Sequence, residues 1–216
     1  MENAPASTPS AQPRRSTTPA RLPTQQRSRE RVERMLAAAA ALIAEGGSDA
    51  MRMSEVAERA GVPIGSLYQF FPDKGAIVRT LAERYNALGR ACIEEGLANV
   101  ADLDGLRDAF GRLIDIYYAL FLAEPVMRDI WSGTQADKAL RDIDLDDSRQ
   151  TGAMLAAVLD RLSPDADRAA IATRAFLIMN LGEATMRLAI SVERKEGDAL
   201  VAAFKQMALR ELSVPC

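Results

Sequence analysis

Residues 53–74 read MSEVAERAGVPIGSLYQFFPDK, and this stretch decides the fold of the N-terminal part of the chain. It predicts two short helices, Met53–Arg59 and Pro63–Phe71, with Ala60-Gly61-Val62 between them. A tight turn between helices needs a residue that tolerates a positive φ angle, and Gly61 supplies one. The stretch therefore predicts a helix-turn-helix unit over about residues 51–71.

The two faces of this unit differ in chemistry. An inward apolar set holds the helices together, and two of its members lie four positions apart on the second helix. That set is Val56, Ala57, Val62, Leu67 and Phe71. The outer face of the second helix carries Ile64, Gly65, Tyr68 and Gln69. Gly65 has no side chain, so the start of this helix could come close to DNA. Gln69 can pair with a base edge and Tyr68 can reach a phosphate, as in a helix that lies in a DNA major groove.

Nearly all of the remaining sequence favours helix, because Ala, Leu, Met, Glu and Arg are frequent and no alternating strand pattern occurs. Gly46-Gly47 and Gly197 are typical helix stops, and Ser163-Pro164 is a start signal. The chain is therefore predicted to be all-α, with about nine helices. The other seven are expected at about Arg27–Glu45, Lys74–Asn99, Asp104–Ala123, Pro125–Trp131, Lys138–Leu162, Pro164–Lys195 and Asp198–Leu212.

The composition excludes several kinds of site. The 216 residues include no His, which rules out Ser-His-Asp triads, Cys-His dyads and HExxH zinc helices. The acidic run 142–147 lacks the Gly and the Glu of a calcium loop and is predicted to be a solvated helix face. No phosphate-binding glycine motif is present, so we expect neither a cofactor nor a metal. Cys92 is expected in the core and Cys216 at the exposed terminus, without a disulfide framework.

The longest uncharged apolar run, Met35–Ala44, has ten residues, whereas a membrane helix needs about 20. No signal-peptide pattern is present either, so we expect a cytoplasmic, nucleoid-associated protein that does not bind membranes.

The net charge is −3, but residues 1–80 carry 11 Lys and Arg against 8 Asp and Glu, which favours phosphate contact at that end. Residues 1–26, rich in Pro, Ser, Thr and Arg, are predicted to be a disordered tail. Its Arg14, Arg15 and Arg21 either follow DNA as a basic arm or have no role.

Residues 27–87 resemble the DNA-binding domain of the TetR family of transcriptional regulators. The likeness is carried by the stretch 53–74 and by Met35-Leu-Ala-Ala-Ala with Leu42-Ile-Ala-Glu-Gly-Gly47, which is similar to the family's first helix and its glycine stop. The resemblance implies an N-terminal three-helix module with the helix-turn-helix. It also implies a larger C-terminal helical domain for ligand binding and dimerisation, here residues 88–216.

The resemblance also implies which residues contact DNA. Tyr68 stands at the family's phosphate-contacting tyrosine, and Lys74 at the lysine that opens the fourth helix near the DNA backbone. Two positions depart from the family pattern, since Arg52 replaces a Thr and Pro63 replaces a Ser or Thr. The full expected set is Arg52, Ser54, Pro63, Ile64, Gly65, Ser66, Tyr68, Gln69 and Lys74.

In the family, the C-terminal helices enclose a small-molecule pocket and the last two helices build the dimer. The resemblance therefore implies a homodimer on a palindromic operator in double-stranded DNA, with a small apolar or aromatic effector. Large side chains beyond residue 100 are candidates for the pocket, although such side chains at helical spacing are more often core residues. The candidates are Tyr117, Phe121, Trp131 and Met154, with Tyr118, Asn180 and Glu183 as polar anchors.

The predicted function is a ligand-responsive repressor and not an enzyme. Two alternatives within the same class are a regulator without a small-molecule inducer and an activator. An all-α enzyme is an alternative from a different class. It would need two carboxylates converging in a pocket, and Glu183 with an Asp of 142–147 is the candidate pair.

Overall fold

The computed structural model of the chain describes residues 24–133 and 137–212. Over these ranges the chain forms nine α-helices and no β-strand, which confirms the prediction of an all-α fold. The helices are α1 (Thr24–Ala50), α2 (Met53–Ala60), α3 (Ile64–Phe70), α4 (Lys74–Leu97), α5 (Leu103–Ala123), α6 (Pro125–Gly133), α7 (Lys138–Leu162), α8 (Arg168–Ser191) and α9 (Arg194–Glu211). No helix in the described ranges is both long and apolar enough to cross a bilayer.

The first helix is longer than the sequence predicted. It begins at Thr24, so residues 24–26 belong to α1 and not to the tail, and it continues past Glu45 to Ala50. Gly47 interrupts it with φ 80° and ψ 160°, so the predicted glycine stop is a kink followed by a short last turn. The rest of the predicted tail, including the proposed basic arm, lies outside the described residues.

The helix-turn-helix unit forms as predicted. Gly61 ends α2 in the left-handed region, with φ 64° and ψ 42°. The backbone N–H of Val62 then donates to the carbonyl of Ala57 at 3.0 Å and the N–H of Gly61 to that of Glu58 at 3.1 Å, which satisfies carbonyls at the helix end. Val56, Ala57, Leu67 and Phe71 are buried and Val62 is half-buried against them, so the inward set is confirmed.

The predicted start and end of α8 were both wrong. Ser163-Pro164 does not start α8, because the side chain of Asp167 caps the helix by accepting from the N–H groups of Ala169 and Ala170. Gly197 does not end α8 either but lies buried in α9. A Cβ at Gly197 would lie 2.4 Å from the carbonyl oxygen of Ala189 and 3.0 Å from the Tyr118 hydroxyl. This glycine therefore permits a close approach of α9 to the C-terminal end of α8 and to α5.

The core of the C-terminal domain forms around α5. Its apolar face is buried, and the buried large residues include Leu106, Phe110, Leu113, Ile114 and Phe121. The rings of Tyr117 and Trp131 meet that of Phe121 edge-on, with centroids 5.0 and 6.0 Å away. The long helix α4 packs against α1 and α7 and so connects the helix-turn-helix module to this domain.

Candidate nucleic-acid interface and internal cavity

The outer face of α3 is free of contacts that would hold it inside the protein. Tyr68 is 51% exposed and Ile64 is also exposed, although both are large and largely apolar. The remaining residues of the predicted DNA-contacting set are exposed as well, except for the half-buried Ser66. Apolar and aromatic side chains held out in this way on a short, firmly packed helix are typical of a surface that meets a partner.

Neither packing nor backbone conformation requires a glycine at position 65. A Cβ at this position would meet nothing within 4 Å, and the residue does not have a positive φ angle. Glycine inside a helix lowers stability by about 1 kcal/mol relative to Ala, so the fold alone would favour Ala here. The missing side chain leaves the backbone of α3 open to close approach from outside.

Two basic residues make hydrogen bonds within the helix-turn-helix module that the sequence did not indicate. Arg31 of α1 donates through Nη1 to the Ser66 hydroxyl at 3.3 Å, so its guanidinium lies beside the start of α3. Nothing in the spacing of α1 had marked Arg31, because the contact joins residues 35 positions apart. Lys74, predicted at the DNA backbone, donates from Nζ to the carbonyls of Ser48 and Asp49 at 3.3 and 2.9 Å. Arg52 precedes α2 and its side chain makes no capping hydrogen bond.

An internal cavity of about 120 Å³ lies in the C-terminal domain, among helices α4, α5, α7 and α8. Its lining is mostly aliphatic and aromatic, and its polar members come together on one wall. The lining includes Tyr85, Asn86, Leu88, Gly89, Cys92, Ile93, Phe110, Leu113, Ile114, Ile116, Tyr117, Leu120, Met127, Asp147, Thr151, Ile178, Met179, Gly182, Glu183, Met186 and Phe204. The exposed side chains of Leu88 and Ile116 mark the side on which the cavity opens.

The polar wall is a network of carboxyl groups and arginines. Arg90 of α4 pairs with Asp147, and Arg187 of α8 pairs with Asp144 at 2.8 Å. Glu183 accepts from the Ser148 hydroxyl at 2.8 Å and is hydrogen-bonded to the Asp144 carboxylate. Burial, followed by the negative charge of Asp144, raises the pKa of Glu183 to about 9, so this carboxyl is protonated and uncharged at neutral pH.

Asp147 illustrates the same competition between burial and charge. Its partner Arg90 lowers the pKa, but burial has the larger effect, and the pKa of Asp147 is raised. These carboxyls correct one prediction, because the acidic run 142–147 is not a solvated face throughout. Asp144 and Asp147 point inward, where the arginines of neighbouring helices neutralise them.

Two polar side chains on the cavity wall have no partner among the described residues. Asn86 is only 6% exposed and Tyr117 is half-buried, and neither side chain makes a hydrogen bond to the described residues. Burial, with the charge of Glu183 next in effect, raises the pKa of Tyr117 well above its usual value, so the phenol keeps its proton. Both side chains therefore keep donors and acceptors that a molecule bound in the cavity could use.

The structure brings only part of the predicted pocket set to this cavity. Tyr117 and Glu183 line it, as do the half-buried Cys92 and, unpredicted, Asn86. Tyr118 instead donates to Asp198 of α9 at 3.0 Å. Asn180 donates to Ser148 behind Glu183. Phe121 supports Tyr117 from behind, Trp131 borders a much smaller neighbouring cavity, and Met154 lines neither cavity.

The short exposed helix α3 on a three-helix module, joined to a helical domain with a cavity, is the arrangement expected of a regulator of the TetR type. Residues 35–81 match the family model described as "Bacterial regulatory proteins, tetR family". Residues 104–216, more than half of the chain, match the model "Tetracyclin repressor-like, C-terminal domain". The chain therefore belongs to the TetR family, whose members are DNA-binding transcriptional regulators.

Individual relatives are similar over part of the chain or in fold. The HTH-type transcriptional repressor KstR of Mycolicibacterium smegmatis is 35% identical over 86 residues, which are 39% of this chain and 42% of KstR. The chain thus matches about two fifths of that relative's length. FadR from Bacillus subtilis with stearoyl-CoA has a TM-score of 0.60 at 18% identity, covering 85% of this chain and 98% of FadR. RolR with resorcinol has a TM-score of 0.61 at 18% identity, covering 88% and 97%. At such identities the likeness shows the fold alone.

Proposed function

We propose that the protein is a homodimeric repressor that binds a palindromic operator through α3 and leaves it when a small apolar or aromatic molecule enters the cavity. It would act in the cytoplasm, on the chromosome. The observation that carries the proposal is the outward face of α3, which has no function inside the protein but suits a major groove. A repressor is favoured over an activator because the similar KstR is a repressor.

Contact with DNA is supported by what α3 presents. Gly65 lets the helix backbone come close to a base pair, Gln69 offers an amide to a base edge, and Tyr68 offers a hydroxyl to a phosphate. Arg31 and Arg52 flank this face with positive charge, which favours the phosphate backbone on either side. These roles of individual residues are part of the proposal.

Response to a ligand is supported by the cavity and by a path from it to the DNA-binding module. Met127 of α6 lines the cavity, and Asp129, two residues later, accepts from the backbone N–H of Ser48 at 3.0 Å at the end of α1. A molecule that displaces α6 would therefore also displace the module that carries α3. Two proteins of the same fold hold a small molecule, resorcinol in RolR and stearoyl-CoA in FadR.

Dimerisation is supported by an uncovered apolar stripe on α8. Leu177, Leu181 and Leu188 are 54%, 43% and 49% exposed and lie on one side of the helix, and Met207 of α9 is 66% exposed. A second copy of the chain would cover them. A dimer also suits a palindrome, because two recognition helices about 34–36 Å apart meet successive turns of the major groove.

An enzyme is the less favoured alternative. The carboxyl pair that it requires does meet at the cavity, since Glu183 is hydrogen-bonded to Asp144. Asp144 and Asp147 are both paired with arginines, however, and the family is one of regulators. We therefore assign the carboxyl groups to the wall of a binding cavity.

The proposal is tested by fluorescence anisotropy with duplex DNA from the promoter of the protein's own gene. The wild type should bind this duplex tightly and lose affinity steeply as salt rises, because phosphate contacts release counterions. Tyr68→Ala should weaken binding to this duplex about tenfold or more, since a hydrogen bond to a charged phosphate contributes about 1.5–3 kcal/mol. The control Leu145→Ala, which truncates an exposed side chain on α7, should bind like the wild type. Specific binding that survives Tyr68→Ala unchanged would contradict the role of α3.

A further inference from the structure

We propose that the cavity binds an uncharged single-ring molecule with a hydroxyl or carbonyl oxygen, and that Asn86 and Tyr117 hold this oxygen. The inference rests on the proposed function, because it names the chemical class of the effector. It is carried by the size of the cavity, by its two unpartnered polar groups and by the neutrality of its polar wall.

The size of the cavity favours one ring. Its volume of about 120 Å³ is close to the roughly 150 Å³ of an apolar protein cavity that holds benzene. Phe110, Leu113 and Ile114 of α5, with Ile178 and Met186 of α8, present only apolar atoms to the ring. A ring that displaces weakly bound water from such a lining gains free energy in proportion to the apolar surface that it buries.

Asn86 and Tyr117 provide the polar end of the site. Asn86 lies on α4 and Tyr117 on α5, so a molecule between them would contact two helices at once. Each can both donate and accept, which matches a ligand hydroxyl, and each can also donate to a carbonyl. A ligand oxygen within hydrogen-bond range would give either group a partner in the cavity, and such a bond favours the ligand that carries the oxygen.

The charges around the cavity disfavour an anion. Two carboxyl groups, Asp147 and Glu183, line it, and the described lining residues include no Lys or Arg. Asp147 is already paired with Arg90, and the neighbouring Asp144 with Arg187. Glu183 keeps its proton, which leaves the wall neutral. A carboxylate or phosphate on the ligand would enter without a free cation to receive it, and burying an unpaired charge is strongly unfavourable. A neutral oxygen needs no such partner.

The proposal is tested by isothermal titration calorimetry on the full chain without DNA, using four probes that share one ring. Phenol should bind, and toluene, which has the ring without the oxygen, should bind about three- to tenfold more weakly, as expected for one or two net hydrogen bonds. Benzoate and benzylammonium should bind at least tenfold more weakly than phenol. Equal or tighter binding of either ion, or no binding of phenol, would overturn the proposal.

Three variants locate the oxygen site. Tyr117→Phe and Asn86→Leu should each reduce the preference for phenol over toluene while toluene still binds, which shows that the cavity is intact. Tyr118→Phe is the matched control, because its hydroxyl is bonded to Asp198 outside the cavity, and it should keep the wild-type preference. A preference that persists in both cavity variants would refute the assigned residues.

Failure of the ligand proposal can be distinguished from failure of the proposed DNA-binding function. A chain that binds its promoter DNA but not phenol refutes the ligand class and leaves the DNA-binding function standing. A chain that binds phenol with the expected preference but no specific DNA supports the ligand class and refutes the regulator. The two measurements share no reagent other than the protein.

Discussion

At Glu183, removal of the side chain from water has a larger effect than any neighbouring group. The charged and titratable groups that face it from the surrounding helices are Asp144 and Asp147 of α7, Tyr117 of α5, Arg187 of α8 and Arg90 of α4. With a pKa of about 9 in the folded chain and 4.5 as the ordinary value, Glu183 holds a proton that the unfolded chain releases between these limits. The folded state therefore loses stability as pH rises from about 4.5 to 9, by at most about 1.4 kcal/mol per pH unit.

This gives a prediction for Glu183→Gln, which keeps the shape and the neutral charge of the side chain. The free energy of unfolding of the wild type, measured by urea denaturation, should fall between pH 5.5 and 8.5. The slope should be shallower in the variant. The chain has no His, so the side chain whose ordinary pKa lies in the middle of this window is missing. Glu94→Gln, on the exposed surface of α4, should keep the wild-type slope. An unchanged slope in Glu183→Gln would show that the carboxyl is ionised in the folded protein.

The sequence predicted single residues well where their neighbours lie close along the chain. Gly61, Leu67 and Phe71 follow from helical periodicity and turn chemistry, and the structure confirms the conformation of the first and the burial of the others. Asn86 was missed because one buried amide in a long helix has no local signal. The inward orientation of Asp144 was missed for a similar reason, since its partner Arg187 lies 43 positions away.

Among the elements, α6 acts as the link between the cavity and the end of α1. After the kink at Gly47 the short last turn of α1 needs an acceptor for its first free N–H group, and Asp129 of α6 supplies a carboxylate to Ser48. A Cβ at Gly47 would lie 3.0 Å from the same carboxylate, and φ at this residue is positive. Both features favour glycine there.

Removal of this link should be measurable as a loss of stability. Asp129→Ala should lower the free energy of unfolding by about 1–2 kcal/mol, because a charge-assisted hydrogen bond to a backbone N–H is lost. Asp129→Asn keeps an oxygen acceptor and should lose less. Asp142→Ala removes an exposed carboxylate from α7 and should change stability by no more than about 0.5 kcal/mol. If Asp129→Ala unfolds at the same urea concentration as the wild type, the contact contributes nothing.

Element boundaries were predicted less well than the elements themselves. The sequence analysis placed the start of α8 at Ser163-Pro164, whereas the helix begins after Asp167, whose carboxylate accepts from two backbone N–H groups. Gly197 looked like a stop because glycine is common after helices. Glycine is required at position 197 because the carbonyl of Ala189 lies too close for a side chain, and a contact between helices is not visible in a local pattern.

At the scale of the whole molecule, the nine described helices leave an apolar surface on α8 and α9 exposed to solvent. Leucines with about half of their side-chain surface exposed, all on one side of a helix, are disfavoured in water unless a partner removes them from it. The cavity does not account for them, because none of these leucines lines it. We therefore propose that a second copy of the chain covers this surface.

The last prediction follows from this surface. Leu181→Glu places a charge in the middle of the stripe, and burying that charge without a partner in a symmetric interface would oppose association twice, once from each subunit. Light scattering should give a dimer for the wild type and a monomer for the variant. Binding to a palindromic duplex should weaken at least tenfold in the variant, whereas binding of phenol should persist, since the cavity lies within one subunit.

Leu145→Glu, an equally drastic change on the exposed surface of α7, should leave both the dimer and its affinity for DNA intact. A monomeric wild type, or a dimer that tolerates Glu at position 181, would place the interface elsewhere.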